Sequence, residues 1–298
     1  MVKRQGRVKK RQSRLEERQD KLQDLNRMIP WQRLSVRLEV LDLANRKSQA
    51  GRKPINRIVL LKMLVLKYLY NLSNEQLEYQ THDRASLRRF VGLEEGAEIP
   101  DGTTVDKWEK KLQKHGLIER LFEEFEEFLR ESGYEAQGGQ IIDATLVPVA
   151  IQRNSQEENE QIKKREIPPQ WQDNPQLGAV LNPDNQGHEI WADSAYRSQN
   201  RSAGLEALGH ISQIHERAYR HRPLSQEQIA NNREKSKTRA KVEHVFGAWV
   251  ISMGGKLMRG IALERVGAQI GLKNWVYNLK RYLFWQKQES CLAGGQCV

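Results

Sequence analysis

The run from Gln140 to Ala150, QIIDATLVPVA, constrains the fold more than any other stretch of the chain. It is β-branched and apolar, which is typical of a strand buried on both faces. One acidic residue, Asp143, interrupts it. A carboxylate in such a run is costly to bury unless it is paired or binds a cation. Asp143 is therefore a candidate functional residue, and the alternative is a buried carboxylate held by backbone donors.

The chain before this strand has the apolar spacing and the capping residues of a helical domain. Ser73 with Gln76 three residues later is a capping-box pattern, and Thr103 with Asp106 is a second capping signal. Gly133 is placed to end the last helix. The predicted helices are Trp31 to Asn45, Asn56 to Tyr70, Ser73 to Gln80, Asp83 to Val91, Thr103 to Gln113 and Leu117 to Glu131.

Three of these helices follow one another closely, and the last of the three, Asp83 to Val91, is basic. This pattern is compatible with a helix-turn-helix-like DNA reader. We then expect Arg84, Arg88 and Arg89 to bind DNA. A helical bundle used for dimerisation is the alternative, and the sequence leaves both open.

Two short strands and a helix are predicted after the Asp143 strand. The stretch Glu189 to Tyr196, EIWADSAY, is predicted to contain a short strand that ends at Asp193, and Ile211 to Ile214 is predicted as a third strand. Lys237 to Met253 has the i, i+3, i+4, i+7 spacing of a helix packed by one face. The apolar residues of that face are Val242, Val245, Phe246, Trp249, Val250 and Met253.

Glu243 lies beside this apolar face, and Arg239 lies four residues earlier. The two side chains can therefore meet on one edge of the helix. Taken alone, the pair is best interpreted as an exposed salt bridge, which contributes only a few tenths of a kcal/mol.

Charge is unevenly distributed along the 298 residues, whose formal net charge is +11. Residues 1–53 contain 16 Lys and Arg against 6 Asp and Glu, and residues 196–298 contain 17 against 7. The remaining middle contains 16 basic and 25 acidic residues. Two basic ends indicate contact with a polyanion, most simply nucleic acid.

An anionic membrane surface is the rival partner, but no stretch is suited to span a bilayer. The most apolar run, Ile58 to Leu72, contains Lys62 and Lys67 and is too short. The charged N-terminus has no signal-peptide pattern. Cys291 and Cys297 lack metal-site spacing, so we expect reduced intracellular thiols.

Two carboxylates on strands and a third on a later helix suit the binding of two divalent cations. Hard oxygen ligands favour Mg²⁺ or Mn²⁺. Two such ions activate the attacking oxygen and stabilise the leaving oxygen during cleavage of a phosphodiester. Spacing alone is a weak signal, because a chain with 38 acidic residues contains many such triples.

Longer motifs carry a resemblance to a known family. The chain contains IIDATLVPVAIQRNSQEENEQIKKREIPPQW, WADSAYRS, RAKVEHVFG, MGGKLMR and GLKNWVYNLKR, preceded by GRKPINRIVLLKMLVLKYLYNLSNEQLEYQTHDRASLRRFVGL and PDGTTVDKWEKKL. From about Trp31 to Trp285 it resembles the DDE transposases of bacterial insertion sequence family five. The resemblance implies an α+β or α/β chain, with a helical N-terminal domain followed by a ribonuclease H-like catalytic domain.

The resemblance implies roles for individual residues. Asp143 and Asp193 match the two aspartates of the catalytic, metal-binding triad, and Glu243 matches the glutamate. Arg239 matches the arginine of the arginine-x-x-x-glutamate signature, which implies that it contacts DNA phosphates or orients the metal-bound end. We expect Lys241 to bind DNA as well. The signature's lysine and tyrosine positions are occupied by Val250 and Ser236.

The family's catalytic domain has a hairpin of second and third strands between the two aspartates. From Arg153 to Gln176 the composition is that of a polar helix and a loop, without period-2 alternation. We infer an internal deletion near Gln176 and Leu177 and a domain that lacks those two strands. Either the first strand loses its neighbour and activity fails, or the strands carrying the aspartates pair directly and a smaller sheet survives.

These interpretations predict a transposase that binds terminal inverted repeats, cleaves DNA with two Mg²⁺ or Mn²⁺ ions and joins the freed end to target DNA. The alternative is an inactive, internally deleted remnant that only binds DNA. The resemblance implies a homodimer, double-stranded DNA as partner, and a nucleoid-associated location in the bacterial cytoplasm. The expected parts are a basic arm that is disordered or a frayed helix (1–30), a helical DNA-binding or dimerisation domain (31–133), a reduced catalytic domain (134–285) and a tail (286–298).

Overall fold

The computed structural model of the chain describes residues 21–43, 55–94, 96–134, 140–142, 147–148, 188–197 and 204–294. The helices over these residues are α1 (Lys21–Met28), α2 (Trp31–Val36), α3 (Val40–Leu43), α4 (Arg57–Tyr70), α5 (Asn74–Asp83), α6 (Ala85–Val91), α7 (Gly102–Lys114), α8 (Leu117–Glu131), α9 (Gln226–Ser252) and α10 (Leu263–Gly294). The strands are β1 (Gln140–Ile142), β2 (Glu189–Ala192) and β3 (Ile211–Ser212), and a short 3₁₀ helix covers Ser194–Tyr196.

The chain divides into two compact units. One contains residues 1–133 and 249–298, and the other contains residues 134–248. The first unit is helical and is organised around α4, which is buried from Val59 to Leu69. A helix that is apolar on all sides must be surrounded by protein. Accordingly, α4 is packed by α2, α5, α6, α7 and α10.

The C-terminal helix α10 belongs to this helical unit. The indole N–H of Trp275 donates to the carbonyl O of Leu121 in α8 at 3.1 Å, and Gln269 Nε2 donates to Glu109 Oε1 in α7 at 3.2 Å. Residues 249–285 fall within the catalytic domain predicted from the sequence (134–285). The structure groups them with the helical unit, because Leu272, Trp275 and other apolar residues of α10 are buried.

The second unit contains a small sheet with the order β1-β2-β3, in which all three strands are parallel. Its core consists of Ile190, Ala192, Leu205 and Ile214. β1 pairs directly with β2. The sequence left two outcomes, loss of the first strand's neighbour or direct pairing of the aspartate-bearing strands, and the described residues show direct pairing. The inferred deletion near Gln176 and Leu177 lies outside the described residues. A mostly helical chain with a small sheet agrees with the predicted α+β class.

Several local predictions for the N-terminal half are confirmed. The helix Leu117–Glu131 has the predicted bounds, and Ser73 and Gln76 form both hydrogen bonds of a capping box. The capping prediction at Thr103 is wrong. The cap is Asp101, whose side chain accepts a hydrogen bond from the N–H of Thr104 at 2.5 Å, and an aspartate is as good a cap as a threonine.

The basic arm and the first predicted helix also differ from expectation. Residues 1–20 lie outside the described residues, but Lys21–Met28 is helical and buries Leu22 and Leu25. The helix predicted over Trp31 to Asn45 forms as two pieces, α2 and α3, separated by a turn. Leu34, Leu38 and Leu41 are nonetheless buried, so the apolar pattern identified the packed face.

The helix predicted over Lys237 to Met253 is longer than expected. α9 begins at Gln226 rather than Lys237, because residues 226–236 are polar and give no apolar periodicity. Val250, predicted to lie on the packed face, is 55% exposed, whereas Trp249 and Met253 are buried. α10 extends to Gly294 through much of the predicted tail. None of the helices in the described ranges is long and apolar enough to cross a membrane.

Candidate active site

The candidate site lies at the carboxyl edge of the parallel sheet, where β1 and β2 end side by side. The register pairs Ile142 with Ala192. Asp193 directly follows the last residue of β2 in the sequence, and Asp143 directly follows the last residue of β1. Asp143 itself is outside the described residues. Ligand sites of open parallel sheets lie at this edge, which is why Asp193 is a better functional candidate than an acid elsewhere.

The carboxylate of Asp193 is half-buried and held locally. Its Oδ1 accepts a hydrogen bond from the N–H of Ala195 at 2.7 Å. This bond caps the short 3₁₀ helix Ser194–Tyr196. Because the cap uses Oδ1, the orientation of the carboxylate is fixed before any ligand binds.

His215 lies directly beside Asp193, although sequence reasoning did not select it. The N–H of His215 donates to the carbonyl O of Ala192 at 3.1 Å, which continues the register between Ile190 and Ser212 and pairs His215 with Asp193. Burial lowers the pKa of His215, the cations of Arg239 and Lys235 lower it further, and the charge of Asp193 opposes them. Those three charged side chains are therefore near the imidazole.

Three side chains fix the segment that continues from His215. Arg197 Nη1 and Lys235 Nζ donate to the carbonyl O of Ile214 at 3.2 and 3.1 Å. Asn232 accepts from the N–H of Glu216 at 2.8 Å and donates to the carbonyl O of Glu216 at 3.1 Å. Arg197 also forms an ion pair with the carboxylate of Glu216 at 2.8 Å. The edge of the sheet and α9 are thus joined by specific polar contacts.

α9 supplies the predicted site residues that follow. Arg239 is half-buried and acts electrostatically on His215, so it lies toward the carboxyl edge of the sheet. Glu243 and Lys241 are exposed. Glu243 forms no ion pair with any residue of the described part of the chain, so the simple salt bridge between Arg239 and Glu243 is not formed. The structure brings Asp193 and Arg239 to one region and places Glu243 one helical turn further along α9.

Within the described ranges, no group of three or more His, Cys, Asp and Glu side chains is arranged to hold a metal ion. Of the three predicted ligands, only Asp193 and Glu243 are described. Asp193 offers a hard carboxylate oxygen at an edge of parallel strands, which fits the chemistry of a divalent cation. The donor set is complete only with Asp143.

The arginines predicted to read DNA are in the helical unit. Arg84 and Arg89 are exposed. Arg88 is half-buried, and its Nη2 donates to the carbonyl O of His82 at the end of α5, at 2.6 Å. Arg88 therefore has a structural contact within the chain. DNA binding by these arginines stays a prediction.

Two family models match the chain. Residues 10–111 match a transposase domain (DUF772), and residues 165–279 match the transposase DDE domain. The second match includes Asp193, Arg239 and Glu243 but begins after Asp143. Together the matches support a DDE transposase, for which DNA is the expected partner and a divalent metal is required in general. No solved structure matches the chain significantly.

Proposed function

We propose that the chain is a transposase of insertion sequence family five that cleaves DNA at terminal inverted repeats and joins the freed 3′ hydroxyl to target DNA. The observation that carries this proposal is the register of β1 with β2. Adjacent strands lie about 4.8 Å apart. If the register continues by one residue, Asp143 and Asp193 are neighbours on the same side of the sheet, which is the spacing needed to share a cation.

In this proposal Asp143, Asp193 and Glu243 hold two Mg²⁺ or Mn²⁺ ions. When bound, the ions supply activation of the attacking oxygen and stabilisation of the leaving oxygen. Asp193 is oriented by its hydrogen bond from Ala195. Arg239 and Lys241 on α9 bind the phosphates that flank the scissile bond, and Arg84 and Arg89 contribute to DNA binding by the helical unit.

The competing proposal is a DNA-binding remnant without catalysis. It is supported by the composition of residues 153–176, which lacks the alternation of the family's second and third strands. The direct pairing of β1 with β2 favours catalysis instead, since the aspartate-bearing strands need no hairpin between them to lie side by side. A homodimer that binds two element ends, and association with the nucleoid, belong to both proposals.

Cleavage of a labelled duplex that carries the element's own terminal repeat distinguishes the two functions. We expect specific nicking at the repeat end in Mg²⁺ or Mn²⁺. Glu243→Gln should abolish nicking and retain the gel shift of the same duplex, because the substitution removes a metal ligand and no phosphate contact. Retained nicking by Glu243→Gln refutes the role of Glu243. A gel shift without nicking by the wild-type protein favours the remnant.

A further inference from the structure

A short basic hairpin follows the carboxyl edge of the sheet, and the predicted triad does not use it. Tyr219 and Arg222 exchange backbone hydrogen bonds, from Tyr219 N to Arg222 O at 3.2 Å and in return at 3.0 Å. His221, the third residue of the turn, has φ 66°, as a type II turn requires. Residues 217–222, which we name the basic hairpin, therefore have a defined backbone shape.

The side chains of the basic hairpin face solvent. All six residues are exposed, and Tyr219 keeps 59% of its surface accessible. Arg217, Arg220 and Arg222 form no ion pair with a carboxylate in the described ranges of the chain. Three exposed arginines within six residues, none with a counter-ion among the described residues, form a positively charged surface that attracts an anionic partner.

The base of the hairpin is fixed rather than loose. Glu216, the residue before it, is held at both its N–H and its carbonyl by Asn232 and at its carboxylate by Arg197. His215, one residue earlier, pairs with Asp193 in the extended register. The arginines of the hairpin thus follow His215, the residue paired with Asp193, by two to seven positions, on a segment whose backbone is anchored to the same sheet.

We propose that the basic hairpin is a DNA-binding element of the catalytic unit, and that Arg220 and Arg222 contact phosphates of the duplex beside Asp193. This inference rests on the proposed function for the identity of the partner. Arginine suits the role because its guanidinium forms charge-assisted, bidentate hydrogen bonds with phosphate. An anchored hairpin loses little conformational entropy on binding, which favours affinity.

The test is the salt dependence of DNA binding by the full-length protein, measured by fluorescence anisotropy of a labelled terminal-repeat duplex in EDTA. Each lost phosphate contact lowers the slope of log K against log[salt] by about 0.9. For Arg220→Gln/Arg222→Gln we expect the slope to fall by about 1.8 and affinity near 0.1 M salt to fall by more than tenfold. Arg220→Lys/Arg222→Lys should restore most of the slope.

The matched control is Arg120→Gln/Arg130→Gln, which removes the same charge from two exposed arginines among the glutamates of α8. We expect its slope to equal the wild-type slope, because the surrounding carboxylates repel phosphate. Equal slopes for the hairpin variant and this control overturn the inference, as does an absence of binding by the wild type. The metal-dependent nicking assay judges the proposed function separately, since binding in EDTA requires no catalysis.

Discussion

The buried ion pair between Lys67 and Glu109 leads to the sharpest prediction about stability. Lys67 Nζ lies 2.5 Å from Glu109 Oε2, and Tyr68 Oη donates to Glu109 Oε1 at 2.8 Å. Gln269 of α10 donates to the same oxygen at 3.2 Å. The carboxylate of Glu109, on α7, therefore accepts hydrogen bonds from both α4 and α10. The side chains of Lys67 and Glu109 are nearly inaccessible to water.

Glu109→Leu should be strongly destabilising because it leaves the Lys67 charge buried without a partner. Breaking a buried pair from one side costs about 3–5 kcal/mol. For a unit of 150–250 residues, that corresponds to a fall in Tm of about 6–20 °C. Lys67→Met/Glu109→Leu should recover most of the loss, since a buried pair replaced by apolar side chains of similar size is often neutral or stabilising.

Urea denaturation followed by circular dichroism measures these free energies of unfolding. We expect the wild type and the double variant to have similar free energies of unfolding, and Glu109→Leu to have a much lower one. The reasoning is refuted if Glu109→Leu loses less than about 1 kcal/mol, or if the double variant is as unstable as the single one. The second result would mean that the hydrogen bonds of Glu109, rather than the lone lysine charge, set the cost.

Three further predictions concern other elements. Burial lowers the pKa of Lys273 to about 8 from 10.5. Between these pH values the unfolded chain binds more protons than the folded chain, so the free energy of unfolding should rise from pH 8 to 10.5. Urea titrations of Lys273→Met should show a smaller rise. Gly254→Ala should lower Tm, because Gly254 has φ 71° and an added Cβ would lie 2.5 Å from the carbonyl O of Tyr70; an unchanged Tm contradicts this. Asn232→Ala should lower the salt slope of DNA binding by loosening the basic hairpin, whereas a wild-type slope would show that the anchor at Glu216 is not needed.

The sequence predicted the helical half well because its signals are local. The capping box at Ser73 and the apolar face of Leu117–Glu131 depend on residues within a few positions of one another. The start of α9 was missed because its first turns are polar. The membership of α10 in the helical unit depends on contacts such as Trp275 with Leu121, which join distant parts of the chain and leave no local pattern.

The candidate site was only partly predictable for the same reason. Asp193 was found from its position after a strand, and Arg239 and Glu243 from motif resemblance. His215 was not selected, although the predicted strand Ile211–Ile214 ends one residue before it. Only the register between β2 and β3 pairs His215 with Asp193, and register depends on packing that a single sequence does not display.

Metal rescue tests the central claim, that Asp193 binds a catalytic cation, most directly. Asp193→Cys replaces the carboxylate with a thiolate, a soft ligand that suits Mn²⁺ better than Mg²⁺. We predict that this variant retains DNA binding in EDTA, fails to nick the terminal-repeat duplex in Mg²⁺ and regains nicking in Mn²⁺. Wild-type nicking by Asp193→Cys in Mg²⁺ would contradict the account, because the Asp193 carboxylate would then not be a ligand of the catalytic metal.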